Sequence, residues 1–110
     1  MTTILAIPGS WRRGSYNLAL ARAAQALAPA GCTVELASIA TIPVYDGDSE
    51  AAQGVPAPVA GLKDRIAAVG ALLLVTPEYN NSVPGPLKNA IDWLSRPASD
   101  LARVFGDKPT

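Results

Sequence analysis

The unbroken run Leu72-Leu73-Leu74-Val75, inside Ala71–Thr76, constrains the fold more than any other feature of the chain. Continuous apolar residues without alternation mark a strand buried on both faces, and such strands belong to parallel sheets covered by helices. Thr3–Ile7 is a second run of this kind, ended by Pro8 and Gly9. Thr33–Leu36 alternates and carries a β-branched pair, which predicts another strand. Between these runs the apolar spacing becomes helical. Leu18, Leu20, Ala23, Ala24 and Leu27 predict a first helix, ended by Pro29 and Gly31. Val59, Leu62, Ile66 and Val69 predict a second, closed by Gly70. Leu87, Ala90, Ile91 and Leu94 predict a third, broken by Pro97, with Trp93 beside it as a core or subunit-interface residue. Ser38–Pro58, rich in Pro, Gly and Asp, reads as a long loop.

Strands alternating with helices predict a doubly wound α/β parallel sheet with right-handed crossovers. The 110 residues suit one domain, 1–110. Three strands are few for this architecture, and the leucine run looks central, so a further neighbour is expected on its outer side. Lys108 and Pro109 read as the lead into that strand. An uncovered apolar edge invites association.

Composition narrows the chemistry. Nine Lys plus Arg balance nine Asp plus Glu, leaving no net field to gather nucleic acid or an anionic membrane surface. Small-molecule partners are the expectation. The apolar runs are too short to span a bilayer and the N-terminus lacks signal-peptide blocks, so the chain reads as soluble and cytoplasmic. One cysteine, Cys32, and no histidine exclude an internal disulfide, the usual zinc sites and Ser-His or Cys-His catalysis. Any chemistry must come from a cofactor, or from carboxylate, hydroxyl, amide and guanidinium groups.

Two loops follow the carboxyl ends of strands, where ligands bind in open α/β sheets. Gly9–Asn17, GSWRRGSYN, offers a tight turn at Gly9, hydroxyls from Ser10 and Ser15, and charge from Arg12 or Arg13, one of which is a candidate for plain solvation. Ser15 or Asn17 sits near the N-cap of the first helix, whose free amides and dipole favour an anion. A phosphate fits this loop; so does a capped helix behind a solvated turn. The loop matches neither GxGxxG nor GxxxxGK[ST], which argues against a dinucleotide or triphosphate cradle.

The second loop, Thr76–Trp93, reads TPEYNNSVPGPLKNAIDW and is the most specific feature of the chain. Pro77, Pro84 and Pro86 stiffen it, so its backbone groups meet a ligand at little ordering cost. Glu78, Tyr79, Asn80, Asn81 and Ser82 crowd the end of the leucine strand. Tyr79 either packs beneath the loop or stacks beside a ring. Glu78 is either a general base or, more commonly for a loop carboxylate, a holder of backbone amides.

Together, GSWRRGSYN and PEYNNSVPGPLKNAIDW resemble the paired motifs of the NADPH-dependent FMN reductase family, closest to its quinone, chromate and azo-dye reductase branch. The resemblance implies a flavodoxin-like fold with strand order 2-1-3-4-5, of which this chain would hold strands 2-1-3 with three helices. It implies FMN as cofactor, NADPH or NADH as co-substrate, and no covalent nucleophile in the protein. Ser10, Arg12, Ser15 and Asn17 would hold the FMN phosphate; Pro77, Glu78, Tyr79, Asn80 and Ser82 would line the isoalloxazine ring. Asn81 stands where the family varies. Homodimers or homotetramers, and a small-molecule electron acceptor, are implied with these. Family members continue through a fourth strand, a glycine-containing loop and a fifth strand, so the chain resembles about three-fifths of a complete member. Two rival expectations are a flavodoxin-like electron carrier, disfavoured by the missing Thr- and Gly-rich loop and the neutral charge, and an inactive fragment.

Overall fold

The computed structural model describes residues 1–110. Three strands, β1 (Thr2–Pro8), β2 (Cys32–Leu36) and β3 (Ala71–Val75), form one parallel sheet in the order β2-β1-β3. Ile4 stands opposite Val34 on one side and Ala71 on the other. The central strand is therefore β1, and the leucine run of β3 lies at an edge. The C-terminal tail meets its outer side: the Leu72 amide donates to the Pro109 carbonyl at 2.8 Å, and Lys108 Nζ donates to the Val69 carbonyl at 2.5 Å. The segment read as a lead into a strand thus makes one backbone bond to β3 without extending the sheet.

Five helices form where three were expected: α1 (Tyr16–Ala26), α2 (Gly47–Gln53), α3 (Ala57–Ala68), α4 (Gly85–Leu94) and α5 (Leu101–Phe105). The two additional ones carry little apolar signal. α2 interrupts the segment read as a loop and buries nothing; the Asp46 carboxylate caps it, accepting from the Asp48 amide at 3.0 Å. α5 buries only Val104. Pro58, read as the end of that loop, sits in the first turn of α3, where a missing N–H costs nothing.

Alternate residues of β1 point to opposite faces of the sheet. Leu5 and Ile7 enter a cluster of 14 buried residues with Val59, Leu62 and Ile66 of α3, Leu87, Trp93 and Leu94 of α4, and Val104. Ala6 enters a cluster of four, completed by Ala21, Val34 and Val75. The face that α1 presents to the sheet departs from expectation. Leu20 and Leu27 point outward, 61% and 81% exposed, while Ala21 is fully buried. A methyl group there lets the helix lie close over Ala6, which larger side chains would prevent.

A charged clasp fastens α3 to the segment after α4. Lys63, buried, pairs with Asp100 at 2.6 Å and donates to the Arg96 carbonyl at 2.7 Å. Buried ammonium is tolerated because both partners accept from it. Hydrogen bonds from Arg103, then from Lys63, hold the Asp100 carboxyl far below the usual carboxylate range.

Candidate functional site

The two loops expected to form a site meet at Gly9. Its amide donates to the Val75 carbonyl at 2.8 Å. A Cβ there would stand 3.1 Å from Thr76 Oγ1 and 3.2 Å from Pro77 Cδ, tighter than ordinary contact, so glycine is what lets the loops touch. The helix behind the first loop is capped by Ser15 rather than Asn17. Ser15 Oγ accepts from the Leu18 amide at 3.2 Å and donates to the Ser10 carbonyl at 3.2 Å, closing the loop on itself. The hydroxyl is buried and its one proton is committed to that carbonyl. Asn17 lies half-buried in the first turn. Arg12 is exposed, its Nη1 donating to the Arg13 carbonyl at 3.2 Å. Neither arginine pairs with a carboxylate, so both charges are available to a ligand.

The second loop, expected to be stiff from its prolines, also closes on itself through a hairpin. Tyr79 and Ser82 exchange both backbone hydrogen bonds, at 2.9 and 3.1 Å. Asn80 and Asn81 between them have φ of 53° and 64°. Two successive positive φ values inside such a pair are the mark of a type I′ hairpin turn, and asparagine tolerates that backbone better than other side chains. Pro84 then caps α4, with Pro86 in its first turn. Glu78 is exposed and accepts no hydrogen bond within the chain, so it does not hold backbone amides. Tyr79 is half-exposed and not packed beneath the loop.

A cavity of about 740 Å³ opens over the carboxyl ends of the strands. That volume falls in the range of small-molecule and cofactor sites, about 300–1,000 Å³. Ser10, Trp11 and Arg12 form one rim, and Tyr79 with Pro84–Pro86 forms another. Of the nine residues singled out from sequence, Ser10, Arg12 and Tyr79 line it. Ser15, Asn17, Pro77, Glu78, Asn80 and Ser82 lie in the framing loops, outside the lining.

The remaining wall was not foreseen. It comes from the chain after β2, through Ile39, Ala40, Ile42 and Val44, and from Asn89 of α4. Asn89 Nδ2 donates to the Pro43 carbonyl at 2.8 Å while its Oδ1 accepts from the Tyr45 amide at 2.8 Å. Trp93 Nε1 also donates to the Pro43 carbonyl, at 2.9 Å, which settles that residue as core. Tyr45 meets the Trp93 ring edge-on at 4.8 Å, and the Arg96 guanidinium lies 5.3 Å over the Tyr45 ring. Glu50 closes the network, bonded by Arg96 Nε at 2.8 Å and by the Tyr45 hydroxyl at 2.9 Å. The Arg96 bonds draw the Glu50 carboxyl below its ordinary range, and the bond to Glu50 pushes the Tyr45 phenol up. The asparagine was readable as polar on a helix, but nothing local linked it to a carbonyl 46 residues earlier.

One buried polar side-chain atom has no partner in the chain: Nε1 of Trp11. A buried donor left unsatisfied costs about 1–3 kcal/mol; Trp11 lines the cavity, but this nitrogen has no accessible surface there.

Comparison with known proteins bears on what the cavity holds. Residues 2–110 match the model of the NADPH-dependent FMN reductase family. The chain belongs to that family. A quinone reductase of Escherichia coli is 50% identical over 94 residues, covering 84% of this chain and 50% of the relative. An NAD(P)H-dependent FMN reductase of Pseudomonas aeruginosa is 48% identical over 106 residues, covering 96% of this chain and 55% of the relative. The solved structure of FerB, a flavoenzyme NAD(P)H:(acceptor) oxidoreductase from Paracoccus denitrificans, superposes with a TM-score of 0.79 at 41% identity, over 90% of this chain and 53% of that one. The flavodoxin-like fold accords with this likeness, and the chain spans about half the length of the curated relatives it matches. The FMN reductase family's cofactor also suits the residues present. Unpaired Arg12 and Ser10 would supply donors for a phosphate, and Ile39, Ile42 and the Trp11 ring an apolar wall.

Proposed function

We propose that this chain binds FMN and serves an NAD(P)H-dependent oxidoreductase reaction. The observation that carries the reading is the cavity between the cationic GSWRR loop and the Tyr79–Ser82 hairpin, set over the carboxyl ends of the strands. The chemistry FMN supplies when bound is transfer of reducing equivalents from NADPH or NADH to a small acceptor: a quinone, chromate, an azo dye or a free flavin. The name of the Escherichia coli relative, a quinone reductase, supports a quinone as the acceptor class.

The chain's own residues bind, orient and shield. Ser10, Arg12, Ser15 and Asn17 hold the phosphate, with Arg12 supplying the charge; Ser15 joins by releasing the Ser10 carbonyl. Pro77, Glu78, Tyr79, Asn80 and Ser82 border the ring, and the closed hairpin presents their backbone groups at little ordering cost. The wall around Ile39 and Ile42 keeps water from one side. No side chain is assigned a covalent role. Cytoplasmic location and a homodimer or homotetramer complete the reading.

Titration of the purified chain with FMN, followed by quenching of flavin fluorescence, tests it. Saturable binding at one FMN per chain is expected, with Arg12→Ala weakening it by about tenfold through loss of a charge-assisted hydrogen bond. Absence of binding, together with no quinone-dependent NAD(P)H oxidation, would overturn the reading.

A further inference from the structure

α1 carries apolar residues on both of its sides. Ala21 is fully buried against the sheet, yet Tyr16, Leu20 and Leu27 stand 83%, 61% and 81% exposed. Ala19, Ala23 and Ala26 are exposed with them, and the helix holds a single charge, Arg22. A helix apolar all round belongs in an interior, so its outward side calls for a cover that this chain's own fold does not supply. The spacing says what kind. Tyr16, Leu20, Ala23 and Leu27 are separated by four, three and four residues, the a/d seam on which one helix packs against another. This seam reads the same in both directions. A second, antiparallel copy sets Tyr16 of each chain opposite Leu27 of the other, and Leu20 opposite Ala23, so the central large side chains meet small ones. Arg22 stays off the seam, roughly 120° around the helix from Tyr16. The ends are complementary in charge. Arg13, exposed and in no ion pair, stands just before α1. Antiparallel pairing brings it to the C-terminus of the other α1, whose last turn has no basic residue and whose partial negative charge favours a cation.

We propose that the outer face of α1 is a docking surface for a second copy of this chain, joined as an antiparallel, two-fold helix pair with Leu20 of each copy seated on Ala23 of the other. A contact of this kind uses the same patch twice and closes at two copies. Pairing removes on the order of 1,000 Å² of surface from water, the two tyrosines giving about 150–200 Å² each. That is the lower bound for a specific interface, so the dimer is weak. None of the seam residues lines the cavity, and the proposal stands or falls apart from the FMN reading.

Sedimentation equilibrium of the chain over about 5–500 μM is expected to show monomer and dimer in exchange, with a dissociation constant of about 10–100 μM. Leu20→Ser combined with Leu27→Ser is expected to weaken the dimer by about tenfold or more, while Leu101→Ser, at an exposed leucine of α5, leaves it unchanged. Urea midpoints taken at about 1 μM, where the chain is monomeric, check that the variants remain folded. Cross-linking reads the register. Chains carrying Cys32→Ser with either Leu20→Cys or Ala23→Cys are expected to form a disulfide when mixed and hardly any alone, and this decides even if the serine variant fails to fold. A chain that stays monomeric at the highest concentration overturns the proposal. So does a dimer undiminished by the serine variant, which would place the contact elsewhere, for instance on the open edge of β3. Leu20→Cys chains that cross-link to one another as fast as to Ala23→Cys chains overturn it as well.

Discussion

The two faces of the sheet are built on different scales. Under α3, α4 and α5 lie 14 buried residues, among them Leu5, Ile66, Leu87 and Trp93; under α1 lie four, all alanine or valine. The first face also carries the clasps that shape the cavity, from Asn89 and Trp93 to Pro43 and from Arg96 to Glu50. The second contributes the Ser15 cap and turns Tyr16, Leu20 and Leu27 outward. The candidate site therefore draws its rigidity mainly from one face, while the Gly9–Asn17 loop on its rim leads into the helix on the other. Buried apolar area scales with side-chain size, and the alanine- and valine-lined face has little of it.

Breaking the larger face should have the largest effect. Trp93→Ala removes a buried ring and the bond to the Pro43 carbonyl, and is expected to cost about 3–5 kcal/mol, read as a lowered midpoint in urea. Acidification acts on the same face. Asp100 and Glu50 are both held below their ordinary range, so the unfolded chain binds protons more readily than the folded one. Stability from these two is complete above the unfolded carboxylate range, about pH 4, and declines as pH falls through the folded values. Urea midpoints measured from pH 7 to pH 3 should drop on the acid side, less steeply for Asp100→Asn.

The α1 face should respond weakly. Ser15→Ala deletes the cap and loosens the Ser10 turn, at a cost of about 1 kcal/mol by the same measurement. In the dilute, monomeric chain, Leu20→Ser combined with Leu27→Ser should change stability by less than about 0.5 kcal/mol, since both side chains already face solvent. A loss as large as that of Trp93→Ala would show that α1 has an apolar cover even in the monomer, and the contrast between the faces would fall.

What was readable in the sequence was local and repeated. The strands announce themselves through continuous or alternating apolar residues, and α3 and α4 through residues three and four apart, which is why a parallel sheet with right-handed crossovers could be expected; the order β2-β1-β3 was implied by the family resemblance, not by periodicity. The two loops could be placed at strand ends because Pro8, Gly9 and Pro77 stop each run. α2 and α5 escaped because a helix that buries one residue or none leaves no period to detect. The Asn80-Asn81 turn was not read from the sequence; its positive φ values and the Tyr79–Ser82 pairing that closes it come from the structure.

By itself, then, the sequence determined the element order, the sheet type and the two loops that carry the family's motifs. Tertiary structure alone decided which stripe of α1 is buried, because Leu20 and Ala21 offer competing faces and only close approach to Ala6 chooses between them. It also decided the third wall of the cavity. Ile39 to Val44 becomes part of a site because Asn89 and Trp93, some fifty positions later, hold Pro43 in place. Hydrogen bonds at that separation leave no periodic trace in the chain, and neither does the unpartnered N–H of Trp11.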